Sequence, residues 1–351
     1  MSSIPTPDQN PISPTEQASL TRRHTAFITD ISAELAQYNP PNNNSHPFAK
    51  KCRLRIHNIT SRYTTYNRPI SLYEPDIREL WYMLFGAARI TSADHPAQDR
   101  LVAQVLFARG MGTVRRGVIV SDEREGEGGG RRGGEEKAVT RDGEMWTDLP
   151  FLVEELERVW EGWLGMGREE RVNLCAFVAR LVAVGIGGDG VCRVVVRGLK
   201  EVLEVERRVG SGEGDGDDGA GAGEVSIKEL IPSVVPWFEY CGYMIEGFAI
   251  EGRSFSEEGE GISTAPGELA MKGGVVPTNG FSVARWGFWK ERLEELSRCE
   301  DGEVAEVALR AFKMMKFWGE RIEAMIGEKV TTSLGQGQTE GTWSGEGYTL
   351  Q

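Results

Sequence analysis

Apolar residues recur at steps of three and four along most of the chain, the spacing that gives a helix one buried face. From Asp76 the series Ile77, Leu80, Trp81, Leu84 and Ala88 fits such a face, and so do Leu101, Val105 and Ala108. Leu152, Leu156, Val159 and Trp163 form the next stripe, followed by Leu174, Val178 and Leu181. Trp237, Tyr240, Cys241 and Met244 continue the pattern, and Val304, Ala308, Ala311, Met315, Trp318, Ile322 and Met325 carry it furthest. The punctuation agrees. Ser13, Pro14 and Glu16 open a helix that buries Phe27, Ile28, Ile31 and Leu35 and stops at Pro40 and Pro41. Asp94 or His95 can cap a helix that ends at Gly110, and Ser226 with Glu229 has the form of a capping box before Leu230. Val191 to Glu204 is mixed: Val194, Val195 and Val196 favour a strand, while Leu199, Val202 and Leu203 extend a helical period, and the segment reads as helix. With no firm strand in view, the pattern predicts an all-α protein, an irregular multi-helix bundle.

Composition interrupts that bundle. Of the 44 glycines, many fall in EGEGGGRRGGEE from Glu125 and GSGEGDGDDGAGAGE from Gly210, where apolar residues are too few to offset chain entropy. The expected organisation is a disordered N-terminus over 1–12, one helical domain over 13–326, and a disordered tail over 327–351. Disordered inserts are expected near 110–144, 205–225 and 252–279.

The net charge of −13 argues against general nucleic-acid binding, which relies on clustered Lys and Arg. The segment Lys50 to Arg68 is a local exception. It holds Lys50, Lys51, Arg53 and Arg55 with Arg62 and Arg68 and no carboxylate. It reads first as a solvated basic stretch, with an RNA, anionic-membrane or import-signal contact as the alternative. Five scattered cysteines without a CxxC pair suggest reduced thiols, and no apolar run is long enough for a membrane span. A cytoplasmic or nuclear location is the expectation.

Motifs that carry chemistry are weak. Gly185, Gly187 and Gly190 satisfy GxGxxG, with Glu204 or Glu206 near the place of a ribose-binding acid. The flanks do not supply the strands a dinucleotide fold needs, so a glycine-rich turn between helices is expected. The four histidines have no metal-ligand spacing, and no metal or cofactor is expected. Asn173 and Arg180 lie on one side of a helix; if that side faces inward, Arg180 needs a carboxylate or an anionic ligand. In GFSVARWGFWKERLEELSR from Gly280, Ser282 is a natural N-cap and Phe281 and Trp286 occupy the positions of a hydrophobic staple. Trp286, Trp289, Leu293 and Leu296 share a face, which reads as core wall, with a stacking platform around Arg285 as the alternative.

HPAQDRLV from His95, WTDLP from Trp146, NLCAFVARL from Asn173, PWFEYCG from Pro236 and GFSVARWGFW from Gly280 occur in that order. Together they resemble a fungal protein family catalogued as a domain of unknown function, number 3632. The resemblance runs from about Ile77 to Arg298 and implies a helical protein with no activity or catalytic residue to carry over. The first functional reading is therefore a non-enzymatic interaction or scaffold protein, leaving its partner, a protein being one choice, unnamed. The alternative is a small-molecule-binding protein or unrecognised enzyme whose pocket uses Arg285, Trp289, Trp237 and Arg180.

Overall fold

The structure, a computed structural model, describes residues 14–38, 46–120, 131–209, 225–256, 263–275 and 278–320, with positions 322 and 324. The first described helices are α1 (Pro14–Ala36), α2 (Pro47–Thr65), α3 (Glu74–Ile90) and α4 (Ala97–Gly110). Four strands follow: β1 (Arg115–Val120), β2 (Arg131–Lys137), β3 (Val139–Thr140) and β4 (Gly143–Glu144). The chain returns to helix with α5 (Leu152–Glu161), α6 (Arg168–Ala183), α7 (Gly188–Leu203), α8 (Ile227–Leu230) and α9 (Val235–Glu251). It closes with α10 (Glu268–Lys272), α11 (Val283–Leu296) and α12 (Gly302–Trp318).

The architecture is all-α in its bulk, with α6 as the hub on which α3, α4, α7 and α9 pack. The sequence of α6 explains that position, because Leu174, Cys175, Ala176, Phe177, Val178 and Ala179 are all buried, so this helix is apolar around most of its circumference. α1 lies on α3, α2 lies on α3 and α4, and α11 and α12 pack on each other and on α9. The expected stripes Ile77–Ala88, Leu101–Ala108 and Val304–Met315 are buried. Val191 to Leu203 is helix: Val194, Val195 and Val196 are all buried, so α7 is covered on more than one side, and packing overrides their β preference.

Three local expectations are corrected. Residues 115–120 pair antiparallel with 131–137, and β3 pairs with β4, inside the span read as an insert near 110–144. The cross-strand pair Arg116 and Glu136 is joined by an ion pair, which compensates for the shortage of apolar side chains in β2. α10 lies inside the stretch near 252–279 and is anchored by Ala270, which is buried. Ser226 stands at the N-cap of α8 but its side chain accepts no capping bond. The Ser13 cap, the proline stop at 40 and 41, and Met325 lie outside the described residues, as do the Gly210 insert and the tail.

Two turns fix how the helices meet. Gly185, Gly187 and Gly188 adopt positive φ between α6 and α7, so the GxGxxG sequence is an interhelical turn. In WTDLP and the residue after it, Leu149 and Phe151 have φ of 52° and 64° on either side of Pro150, a conformation costly for side-chain-bearing residues. It is held by the Asp142 carboxylate, which accepts from the Phe151 N–H at 2.5 Å, and by Trp81, whose indole N–H donates to the Pro150 carbonyl at 2.8 Å.

Asn173 on α6 is a buried polar tie. Its Oδ1 accepts from the Ala93 N–H at 2.7 Å and its Nδ2 donates to the Arg89 carbonyl at 2.8 Å. Asn173→Leu is expected to destabilise the fold by about 2 kcal/mol, since both backbone groups lose their partner away from water. A urea midpoint that falls with an unchanged slope checks this; an unchanged midpoint would show that water replaces the carboxamide.

Candidate functional site

The C-terminus of α7 delivers Glu204 into the interior, where its side chain is fully buried. Ser282 caps α11 by accepting from the Arg285 N–H at 3.1 Å, which sets Arg285 in the first turn facing that carboxylate. Arg285 Nε donates to Glu204 Oε1 at 2.6 Å and Nη2 donates to Oε2 at 3.0 Å. Trp289, one turn further along α11, donates its indole N–H to Oε1 at 2.6 Å, and the Gly267 N–H donates to Oε2 at 2.6 Å. Nη1 of Arg285 donates to the carbonyls of Thr264 and Gly280 at 2.7 and 2.8 Å. Glycine at 267 lets the loop approach this closely, because a Cβ there would stand 2.7 Å from the Glu204 carbonyl.

A carboxylate has about four lone-pair sites, and here each oxygen accepts two hydrogen bonds. The arrangement therefore resembles a staple more than a reaction centre: it joins the end of α7, the loop before α10 and the start of α11. Phe281 meets Trp289 with ring centroids 6.3 Å apart and also packs on Phe248 and Phe255. Trp286 turns to Phe238 at 5.9 Å, so the ring contact of Phe281 falls one turn beyond the expected staple position.

Arg285 and Trp289 are thus brought together, and the other two candidates sit elsewhere. Trp237 is fully buried against Trp160 at 6.1 Å, beside Gly198. Arg180 lies over the Tyr240 ring at 3.7 Å, donates from Nε to Asp99 at 2.9 Å and from Nη2 to the Ala93 carbonyl at 2.8 Å. Its inward side thus finds a carboxylate within the protein. Near the same 91–95 turn, Gln98 donates to the carbonyls of Ala88 and Thr91. Buried His46 contacts Thr91 Oγ1 through Nε2 at 2.8 Å, and burial first, then His95 and Arg100, push its pKa down to about 4.

The second concentration of charge was not singled out from the sequence. Asp76 and Glu79, both buried, lie on α3 where α1 and α2 cross it. Asp76 accepts from Arg62 at 2.7 Å and from Arg23 at 3.2 Å, with Arg55 at 3.5 Å. Glu79 pairs with Arg55 and with His24 Nδ1 at 3.1 Å. Burial raises the pKa of Glu79, and Arg55 and His24 partly oppose that rise. The signal in the sequence is a carboxylate pair at i, i+3 inside an apolar helix, preceded by a basic segment without carboxylates.

That basic segment is α2, a helix with Cys52, Ile56, Ile59 and Tyr63 buried. Its charges are largely committed inside the molecule. Lys51 pairs with Glu34, Arg53 sits 4.2 Å over the Phe107 ring and donates to Gln104, and Arg55 holds the two buried carboxylates. Lys50 is exposed.

Two clefts flank α1. One, of about 430 Å³, lies among α1, α2 and α3 over the Asp76 cluster. The other, of about 580 Å³, lies towards α5 and α6 and is bordered by His24, Tyr82, Arg89 and Arg158. Among the described residues no helix is long and apolar enough to cross a membrane, and no group of three His, Cys, Asp or Glu residues is placed to hold a metal ion.

Fold and charge clusters together define a mainly helical protein knit by buried arginine–carboxylate contacts. A family described as "Protein of unknown function (DUF3632)" matches residues 81–293, and the chain belongs to that family. It is also similar to "Oxopyrrolidines biosynthesis cluster protein G" of Penicillium oxalicum, 28% identical over 242 residues. That match covers 68% of this chain, and the chain spans 64% of that relative's length. No solved structure matches.

Proposed function

We propose that this chain is a non-enzymatic helical interaction protein that works beside enzymes of small-molecule biosynthesis. The observation that carries the reading is the saturation of Glu204. The one place where sequence candidates for a ligand platform converge has its carboxylate, guanidinium and indole engaged with one another. Their chemistry is spent on holding helices, which supports a structural role for Arg285 and Trp289. The setting comes from the relative, whose name ties it to oxopyrrolidine biosynthesis.

A thermal-shift screen against metabolites and nucleotides tests the reading at this centre, because a ligand that binds only the folded form raises its Tm. The expected result is that no compound gives a shift that disappears in Trp289→Phe. Co-elution of the purified chain with a purified biosynthetic enzyme from the same organism is expected in size-exclusion chromatography. A ligand shift that depends on Trp289 would overturn the interaction reading in favour of a small-molecule pocket around Arg285.

A further inference from the structure

We infer that the cleft among α1, α2 and α3 is a binding site for a small amphipathic organic anion, a carboxylate carried on an apolar body. The inference concerns a different part of the molecule from the Glu204 centre and goes beyond the interaction reading. Size is the first argument. About 430 Å³ falls within the range of sites that enclose small organic molecules.

The lining is the second. Phe27, Ile31, Leu54, Ile59 and Met83 supply an apolar wall, and Lys51, Arg55, Arg62, Asn58 and Ser61 border the same space, with the Asp76 carboxylate at its floor held by Arg55 and Arg62. Such a mixture, apolar walls with a few polar groups, fixes both the body and the orientation of a ligand. Charge is the third argument. Arg23, Arg55 and Arg62 surround Asp76 and Glu79, three guanidinium groups against two carboxylates, while Lys51 is matched by Glu34. The cluster carries one positive charge in excess, which a single carboxylate would complete.

Unused donors are the fourth. Among the described residues Arg62 donates from its side chain to Asp76 through Nη1, and the rest of its guanidinium fork has no protein acceptor. Asn58 and Ser61, on the same helix within one turn of Arg62, are exposed and their side chains have no hydrogen-bond partner among the described residues. A guanidinium fork beside an amide and a hydroxyl is the donor set that planar carboxylates match. The apolar wall beneath them accounts for a ligand with a hydrocarbon body, since a bare inorganic anion would leave it unused.

Isothermal titration calorimetry with decanoate, decanol and acetate on the full chain tests the inference. Decanoate is expected to bind one site, with decanol and acetate each at least tenfold weaker, because each lacks one half of the recognition. Two surface substitutions identify the site without touching the core. Asn58→Asp and Leu54→Asp place a negative charge at the rim, on exposed positions of α2, and each is expected to weaken decanoate at least tenfold with an unchanged far-ultraviolet circular dichroism spectrum. Decanoate binding unaffected by both substitutions would overturn the assignment, as would decanol binding as tightly as decanoate, or no decanoate binding at all. None of these outcomes bears on Trp289-dependent shifts, so failure here is distinguishable from failure of the interaction reading.

Discussion

Glu204→Gln is expected to lower the unfolding free energy by about 3–5 kcal/mol, the range for removing one partner of a buried ion pair. The substitution keeps shape and volume but removes the charge that offsets the Arg285 guanidinium, which is itself fully buried. It also replaces one acceptor oxygen with an amide NH₂ that faces donors: the Gly267 N–H and Arg285 Nη2 on one side, or Trp289 and Arg285 Nε on the other. Every orientation of the new amide therefore sets donor against donor. Chemical denaturation reads the loss directly. The double change Glu204→Gln with Arg285→Met should recover part of it, because the stranded charge leaves with the second substitution. A loss under about 1 kcal/mol for Glu204→Gln would mean that the centre is wet and the staple description is wrong.

Acid should weaken the protein through His46. Thr91 has one hydroxyl hydrogen, and it donates to the Ala87 carbonyl at 2.6 Å. The Thr91 oxygen is therefore the acceptor in its contact with His46, and Nε2 carries the proton. That leaves Nδ1 bare and buried, with no hydrogen-bond partner. Burial disfavours the charged ring, and His95 and Arg100 add to that, which lowers the pKa; protonation would also place a hydrogen on Nδ1 with no acceptor to receive it. The folded value of about 4 lies below the ordinary 6.5, so the unfolded chain binds the proton first as pH falls. The contribution is complete above about pH 6.5 and is lost as pH falls towards and through 4, an effect on the order of 3 kcal/mol from a single site.

Glu79 acts in the opposite sense. Its raised pKa makes the folded form hold a proton more readily, which favours folding as pH falls. Comparing the native chain with His46→Gln by urea unfolding at several values between pH 7 and 4 isolates the histidine contribution. The native chain should show the steeper decline, and equal slopes would refute the assignment.

How far the sequence foretells these features depends on the range of the interaction. Helical stripes such as Ile77 to Ala88 are local, and the period alone reveals which side is buried. α2 is the instructive exception, because Cys52, Ile56, Ile59 and Tyr63 keep steps of four and three, but the surrounding Lys and Arg make the segment look solvated. Its arginines become intelligible only when Asp76 and Glu79 arrive from another helix. The hairpin at Arg115 was hidden for a different reason: β2 has glycines and charges where a strand usually shows apolar alternation, and a cross-strand ion pair stands in for it. At the Glu204 centre, Trp289 and the capping Ser282 are readable from helical spacing. The carboxylate lies 81 residues from Arg285, and no local pattern links the two.

The matched family segment begins at residue 81, part-way along α3, yet every residue lining the cleft among α1, α2 and α3 except Met83 precedes it. The family description thus covers the hub around α6 and both halves of the Glu204 staple, whereas that cleft is built almost wholly from chain that precedes the matched span.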